Sequence, residues 1–280
     1  MRKRSLFKMG ALGAIIAVAV GLAMAGSSSA QEMTTYNVTI ENLTNGQPFT
    51  PPVLVTHTSA MDIFEMGEAA SPEVSAIAEN GNGDPLVALA SGASAVHAYA
   101  TGDGPVMPGA SATISIQAPT GSYLSVVFML ICTNDGFSGL DSMMLPASGS
   151  VTVDANAYDA GSEQNTEDFV DMVPPCQEIV GVSSDDEGTG MSNPALAEGG
   201  VITMHAGIQG GADLTVADHG WSGPVARITV EAVDMTLPAS GTGPVDSASS
   251  TAWLLYAAIA GLALIGFGGA LRLARSRAGR

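Results

Sequence analysis

The stretch SYLSVVFMLICT, residues 122–133, decides the fold. It is a near-continuous apolar run, long enough for a strand buried on both faces. Working outward, TTYNVTIENL (34–43) sets Tyr36, Val38 and Ile40 against Asn37, Thr39 and Glu41. SATISIQAP (111–119) alternates around Ile114 and Ile116. GSVTVDA (149–155), GVITMHAG (200–207) and VARITVEAV (225–233) are further strand candidates. Clusters of Gly, Pro, Asn and Asp separate them, as turns require. Seven or eight such strands predict an all-β chain built as an antiparallel β-sandwich. SPEVSAIAE (71–79) departs from the pattern: Ser71 is placed to cap a helix, Pro72 opens it and Glu73 lies in its first turn. A short helix is expected there, and a second near residues 85–90, with NGNGD as the loop between.

The two ends read differently. Arg2, Lys3, Arg4 and Lys8 precede an apolar run over residues 11–25, and Ser28, Ser29 and Ala30 precede Gln31. This is the pattern of a secretory signal peptide over 1–30. Residues 252–271 carry no charge, and twenty helical residues span about 30 Å, the thickness of a bilayer core. Trp253 and Tyr256 lie at one end, and Arg272, Arg275, Arg277 and Arg280 follow the other. The expectation is a single-pass cell-surface protein. Its parts are an extracytoplasmic domain (31–235), a flexible stalk (236–251), a transmembrane helix (252–271) and a basic cytoplasmic tail (272–280). LPASG at 237–241 also resembles a sortase sorting signal, with Ser240 where threonine is usual. The same pentapeptide recurs at 145–149, inside the domain. A cell-wall protein anchored by a sortase is therefore the alternative to a plain span.

All 27 acidic residues fall between Gln31 and Ser250, where Arg227 is the sole Lys or Arg, so this span carries −26. Such a surface repels nucleic acid and anionic lipid and attracts cations. Adaptation to salty water also explains the overall excess, but not the placement of individual carboxylates. Cys132 and Cys176 are the two cysteines. In an exported domain they predict one disulfide. Its loop of about 45 residues is worth roughly 4 kcal/mol in the chain-entropy model.

Inside that loop lie NDGFSGLDS (134–142) and YDAGSEQN (158–165). Calcium takes six to eight oxygens from flexible loops, and Asp135, Asp159 and Glu163 are candidate ligands. Gly161 between the last two permits a sharp turn. The spacing alone leaves three readings open: a metal site, a catalytic acid pair, or solvated turns. Neither motif has the spacing of the helix–loop–helix calcium loop.

NDGFSGLDS, YDAGSEQN and PVARITV (224–230), in that order, resemble the spondin N-terminal domain family of F-spondin and mindin. The opening YNVTIENLTNGQPFTPPVLVTHT (36–58) and DIFEMGEAASPEVSAIAENG (62–81) resemble its microbial branch. The resemblance covers residues 36–233. It implies a C2-like β-sandwich that binds Ca2+ through loops at one end, with Asp135, Asp159 and Glu163 as ligands. Glu163 stands where the family pattern has aspartate. Asn134 is either a carbonyl donor or a turn cap, and Asp141 reads as a structural turn residue. Phe137 either meets a partner beside the loop or packs into the sandwich edge.

No Gly-x-Ser-x-Gly elbow is present. His57, His97, His205 and His219 are scattered without zinc spacing. GGADLTVADHGW (210–221) has glycines but no strand–turn–helix setting for a phosphate. The expectation is therefore not an enzyme but a calcium-binding module for adhesion or ligand binding. Its partner would be an extracellular glycan, a matrix component or a protein. An extracellular hydrolase with paired carboxylates is the alternative. Nucleic-acid binding is excluded by the near absence of basic residues.

Overall fold

The structure, a computed structural model, describes residues 32–174, 176, 188 and 191–233. The expected signal peptide, stalk, membrane span and tail lie outside these residues, as does LPASG at 237–241. Among the described residues no helix is long and apolar enough to cross a membrane.

Among the described residues, ten strands form two antiparallel sheets. β1 (Met33–Asn42), β4 (Ser111–Pro119), β7 (Ser150–Ala155) and β10 (Ala226–Val233) make a four-stranded sheet in the order β4-β1-β10-β7. The other sheet contains β2 (Val53–His57), β3 (Val96–Thr101), β5 (Tyr123–Met129), β6 (Gly136–Met144), β8 (Ala157–Asp159) and β9 (Thr203–Met204). Its order is β3-β2-β5-β6-β8-β9. The chain is thus a β-sandwich, as the alternating segments predict.

Period-two patterning explains which faces meet. Tyr36, Val38 and Ile40 of β1 are fully buried, and Val38 and Ile40 pair with Val230 and Ile228 of β10. Across the sandwich they share a core with Leu54, Leu124, Val126 and Phe128. On the solvent face of the same sheet, hydroxyls pair instead: Thr39 with Thr113, and Thr152 with Thr229. Arg227 also points outward, with its Nε 2.9 Å from Asp154 and an NH1 contact to Glu41 at 3.8 Å. Such exposed pairs contribute little to stability.

β5 is the central two-faced strand. Leu124, Val126 and Phe128 face the sandwich, while Val127 and Met129 face a second core under two helices. These are α1 (Pro72–Asn80) and α2 (Asp84–Gly92). The Ser71 Oγ accepts the Val74 N–H at 3.2 Å and caps α1, as its sequence predicts. Val74, Ile77 and Leu86 close over Val53, Val55, Val127 and Met129. This cover is why residues 122–133 read as apolar throughout.

Two segments differ from the sequence reading. GVITMHAG yields only the two-residue β9. GFSGLDSMM, not among the strand candidates and with Asp141 read as a turn residue, is the strand β6, paired with β5 and β8. Its Gly139 marks close strand approach rather than a turn, since a Cβ there would lie 1.7 Å from the Val126 carbonyl oxygen. Asp141 is likewise a strand residue, whose Oδ1 accepts the Ile63 N–H at 2.7 Å.

Candidate functional site

The β6–β8 pairing brings the two acidic motifs together. Gly136 lies opposite Asp159 and Phe137 opposite Tyr158, so Asp135 and the turn after Asp159 meet at one end of the sheet. The Ala160 N–H donates to the Asp135 carbonyl at 3.2 Å and continues the ladder. The chain then turns at Gly161, with φ at 65°, where a Cβ would sit 2.6 Å from backbone atoms of Val201. A glycine is required there on both counts.

That turn wraps the Asp135 carboxylate. Its Oδ2 accepts the Ser162 N–H at 2.8 Å, the Ser162 hydroxyl at 3.2 Å and the Glu163 N–H at 3.0 Å. Asp135 is fully buried, and among the described residues its Oδ1 has no hydrogen-bond partner. Burial raises the Asp135 pKa to about 6, opposed by the Glu163 N–H and reinforced by the Asp159 charge. Glu163 is also buried, and its Oε1 accepts the Asn193 N–H. Burial raises the Glu163 pKa to about 7, opposed by the Asn193 N–H and reinforced by the charges of Glu79, Asp135 and Asp171. Asp159 lies at the rim. Its Oδ1 accepts the Gly161 N–H at 2.8 Å and its Oδ2 accepts the Asn165 amide at 2.6 Å.

The three predicted ligands therefore share one end of the fold but do not converge on a point. Among the described residues, the set of three ligating side chains whose donor atoms all lie within 4.8 Å is Cys132, Cys176 and His219. The two sulfurs of that set form the predicted disulfide. Asn134 caps the turn: its Oδ1 accepts the Thr166 N–H at 3.1 Å. Phe137 is fully buried and packs edge-on to Phe64, which removes it as a surface contact.

Sequence reasoning missed Glu79, Asp171 and Asn193, which surround Glu163 from α1, from the short helical turn Phe169–Asp171 and from a distant loop. No local motif announces them. It also missed Glu167, whose carboxylate accepts the N–H groups of Gln209 at 2.5 Å, Gly210 at 2.7 Å and Gly211 at 2.7 Å. The glycine pair of GGAD thus cradles an anion after all, a side-chain carboxylate of the same chain.

A serine, a histidine and an aspartate also meet, in an order unlike a catalytic triad. His57 Nε2 lies 2.8 Å from the Ser125 Oγ, which donates to Asp141 Oδ1 at 3.0 Å. The serine stands between the other two, and His57 Nδ1 faces the Thr58 carbonyl at 2.8 Å. Among the described residues no carboxylate orients the imidazole, and Ser125 is buried. The trio fastens β2, β5 and β6 at their bulges.

Compared with known proteins, the chain matches no family model and no curated protein.

Proposed function

We propose that this chain is an exported, membrane-anchored module of the spondin type, whose acidic sandwich end binds Ca2+ in the service of adhesion or extracellular ligand binding. The observation that carries the cation reading is Asp135 Oδ1: a carboxylate oxygen, fully buried, without a hydrogen-bond partner among the described residues. An orphaned carboxylate oxygen is costly unless a cation or a proton satisfies it. Glu163 and Asp159 add charge beside it, and carboxylate oxygens that already accept one N–H keep a second lone pair for a cation. Calcium suits this donor set because it takes oxygen ligands in loose geometry and adds backbone carbonyls and water. When bound, the ion supplies positive charge, and the residues hold the two motifs in register.

The role is proposed as binding rather than catalysis. Asp135 and Glu163 are buried and committed to backbone N–H groups, which suits a structural ion better than acid–base work on a substrate. The partner class is an extracellular glycan, a matrix component or a protein, with the lipid bilayer met only through residues 252–271. The test is calorimetric titration of the chelator-treated full chain with CaCl2. Saturable binding of one ion, lost in Asp135→Asn, supports the reading, and heats indistinguishable from dilution remove it.

A further inference from the structure

We propose that Cys132, Cys176 and His219 form a dithiol–disulfide redox centre. In it the Nε2–H of His219 is the hydrogen-bond donor to the thiolate released when an external dithiol reduces the bond. The two sulfurs and a ring nitrogen of His219 lie within 4.8 Å of one another, and all three residues are fully buried. Nothing in the cation site takes part.

The neighbours of the imidazole fix its proton. The Thr215 N–H donates to Nδ1 at 3.0 Å, so Nδ1 presents a lone pair and the proton of the neutral ring sits on Nε2. Among the described residues, Nε2 is buried without a hydrogen-bond partner. Burial lowers the His219 pKa, opposed by the Thr215 N–H and the Asp218 charge, and so favours the neutral ring. A disulfide sulfur is a weak acceptor, whereas a thiolate is a charged one. The Nε2–H therefore gains its partner when the bond opens. The same tautomer argues against a metal on the reduced set. Ligation through Nε2 would move the proton to Nδ1, against the Thr215 N–H.

The placement is built by a distant side chain. The Gln47 amide is fully buried and donates to the Cys132 carbonyl at 3.0 Å and the His219 carbonyl at 2.8 Å. Its Oε1 accepts the Cys132 N–H at 3.1 Å. One amide thus holds the backbones of the cysteine and the histidine side by side.

In the step, a thiolate of the external dithiol attacks one sulfur and the Cys132–Cys176 bond breaks. The released sulfur leaves as a thiolate and accepts the Nε2–H, which stays on the ring. The second thiol of the reductant then displaces the other cysteine and closes its own disulfide. Two electrons pass from the dithiol to the chain; the second cysteine takes one proton, and the other, lost when the attacking thiol ionised, goes to solvent. Because both sulfurs are buried, the rate follows local opening, and the equilibrium is the informative quantity.

The full chain is equilibrated in mixtures of reduced and oxidised dithiothreitol. Thiols are counted by alkylation, and near-ultraviolet circular dichroism follows the fold. His219→Met removes the donor, and His219→Gln keeps an N–H near the same place. The expected result is a reduced wild type that stays folded, and a His219→Met variant that needs at least about tenfold more reducing mixture for half-reduction. His219→Gln should stay near wild type. Equal midpoints for wild type and His219→Met overturn the proposal, as does reduction that occurs only with loss of the fold. Should His219→Met not fold, the ultraviolet thiolate titration of the reduced wild type decides. One thiol ionising well below the ordinary cysteine range supports the centre, two ordinary thiols contradict it, and stoichiometric Zn2+ uptake by the reduced chain contradicts it too.

Discussion

The N–H of Glu163 donates to the Oδ2 of Asp135 at 3.0 Å, so one acid orients the other through the backbone across 28 residues of chain. Both carboxyls are buried, and both are pushed upward, to about 6 for Asp135 and about 7 for Glu163. They hold protons more tightly in the fold than in the unfolded chain. Burial is the main cause for both, and the charges of neighbouring carboxylates add to it.

The pH dependence follows with a definite sign. In chelator, the folded state binds more protons than the unfolded state between the unfolded carboxyl range and about pH 7. Stability should therefore rise as pH falls from above 7 towards 5, and be lowest where both carboxyls are ionised. Urea denaturation across that range checks it. Glu163→Gln should flatten the upper part of the profile, and a profile that the substitution leaves unchanged would contradict the assignment.

Saturating Ca2+ should remove most of this slope, because a bound ion keeps both carboxylates ionised. Denaturation midpoints at pH 5 and pH 7.5, each with and without CaCl2, provide the comparison. Calcium should help more at the higher pH.

Gln47 joins Cys132 to His219 with three buried hydrogen bonds. Gln47→Leu leaves one N–H and two carbonyls without that partner and should cost about 3 kcal/mol or more. Equilibrium unfolding of the oxidised chain measures it. Asn42, which also binds the Gln47 carbonyl, should lose stability by a separate route.

Gly161→Ala places a Cβ against the Val201 backbone in a left-handed conformation. It should destabilise by about 1–3 kcal/mol and weaken Ca2+ binding, since the turn that carries Ser162 and Glu163 must move. Gly149→Ala has a left-handed φ of 68° but open space around it, so it should show the smaller conformational cost alone.

The sandwich was legible because its main strands are amphipathic with period two, as Tyr36, Val38 and Ile40 show, and because β5 is apolar on both faces. The capped helix α1 was legible through Ser71 and Pro72. The disulfide followed from having two cysteines in a chain that reads as exported. β6 was hidden because its glycines and aspartate serve strand approach and a side-chain bond, which look like turn chemistry in one dimension. For the candidate site, Asp135 and Glu163 could be named from their motifs, and Gly161 from its turn. The groups that surround Glu163 could not, since Glu79, Asp171 and Asn193 arrive from separate elements through tertiary packing. The redox set was hidden for the same reason: Cys132 and His219 are brought together by Gln47, which no local pattern links to either.

The most direct test of the account is thermal unfolding of the full chain at fixed ionic strength, with Ca2+ or chelator. The variants are Asp135→Asn, Glu163→Gln and the exposed control Asp103→Asn. Binding to the folded state alone adds about 2.7 kcal/mol at a hundredfold excess over Kd. The account predicts that wild type and Asp103→Asn melt higher in Ca2+, with no equal effect of matched NaCl, and that Asp135→Asn and Glu163→Gln lose the shift. A shift of the same size in all four proteins, or one reproduced by NaCl, would contradict it and leave general screening of an acidic surface as the cause.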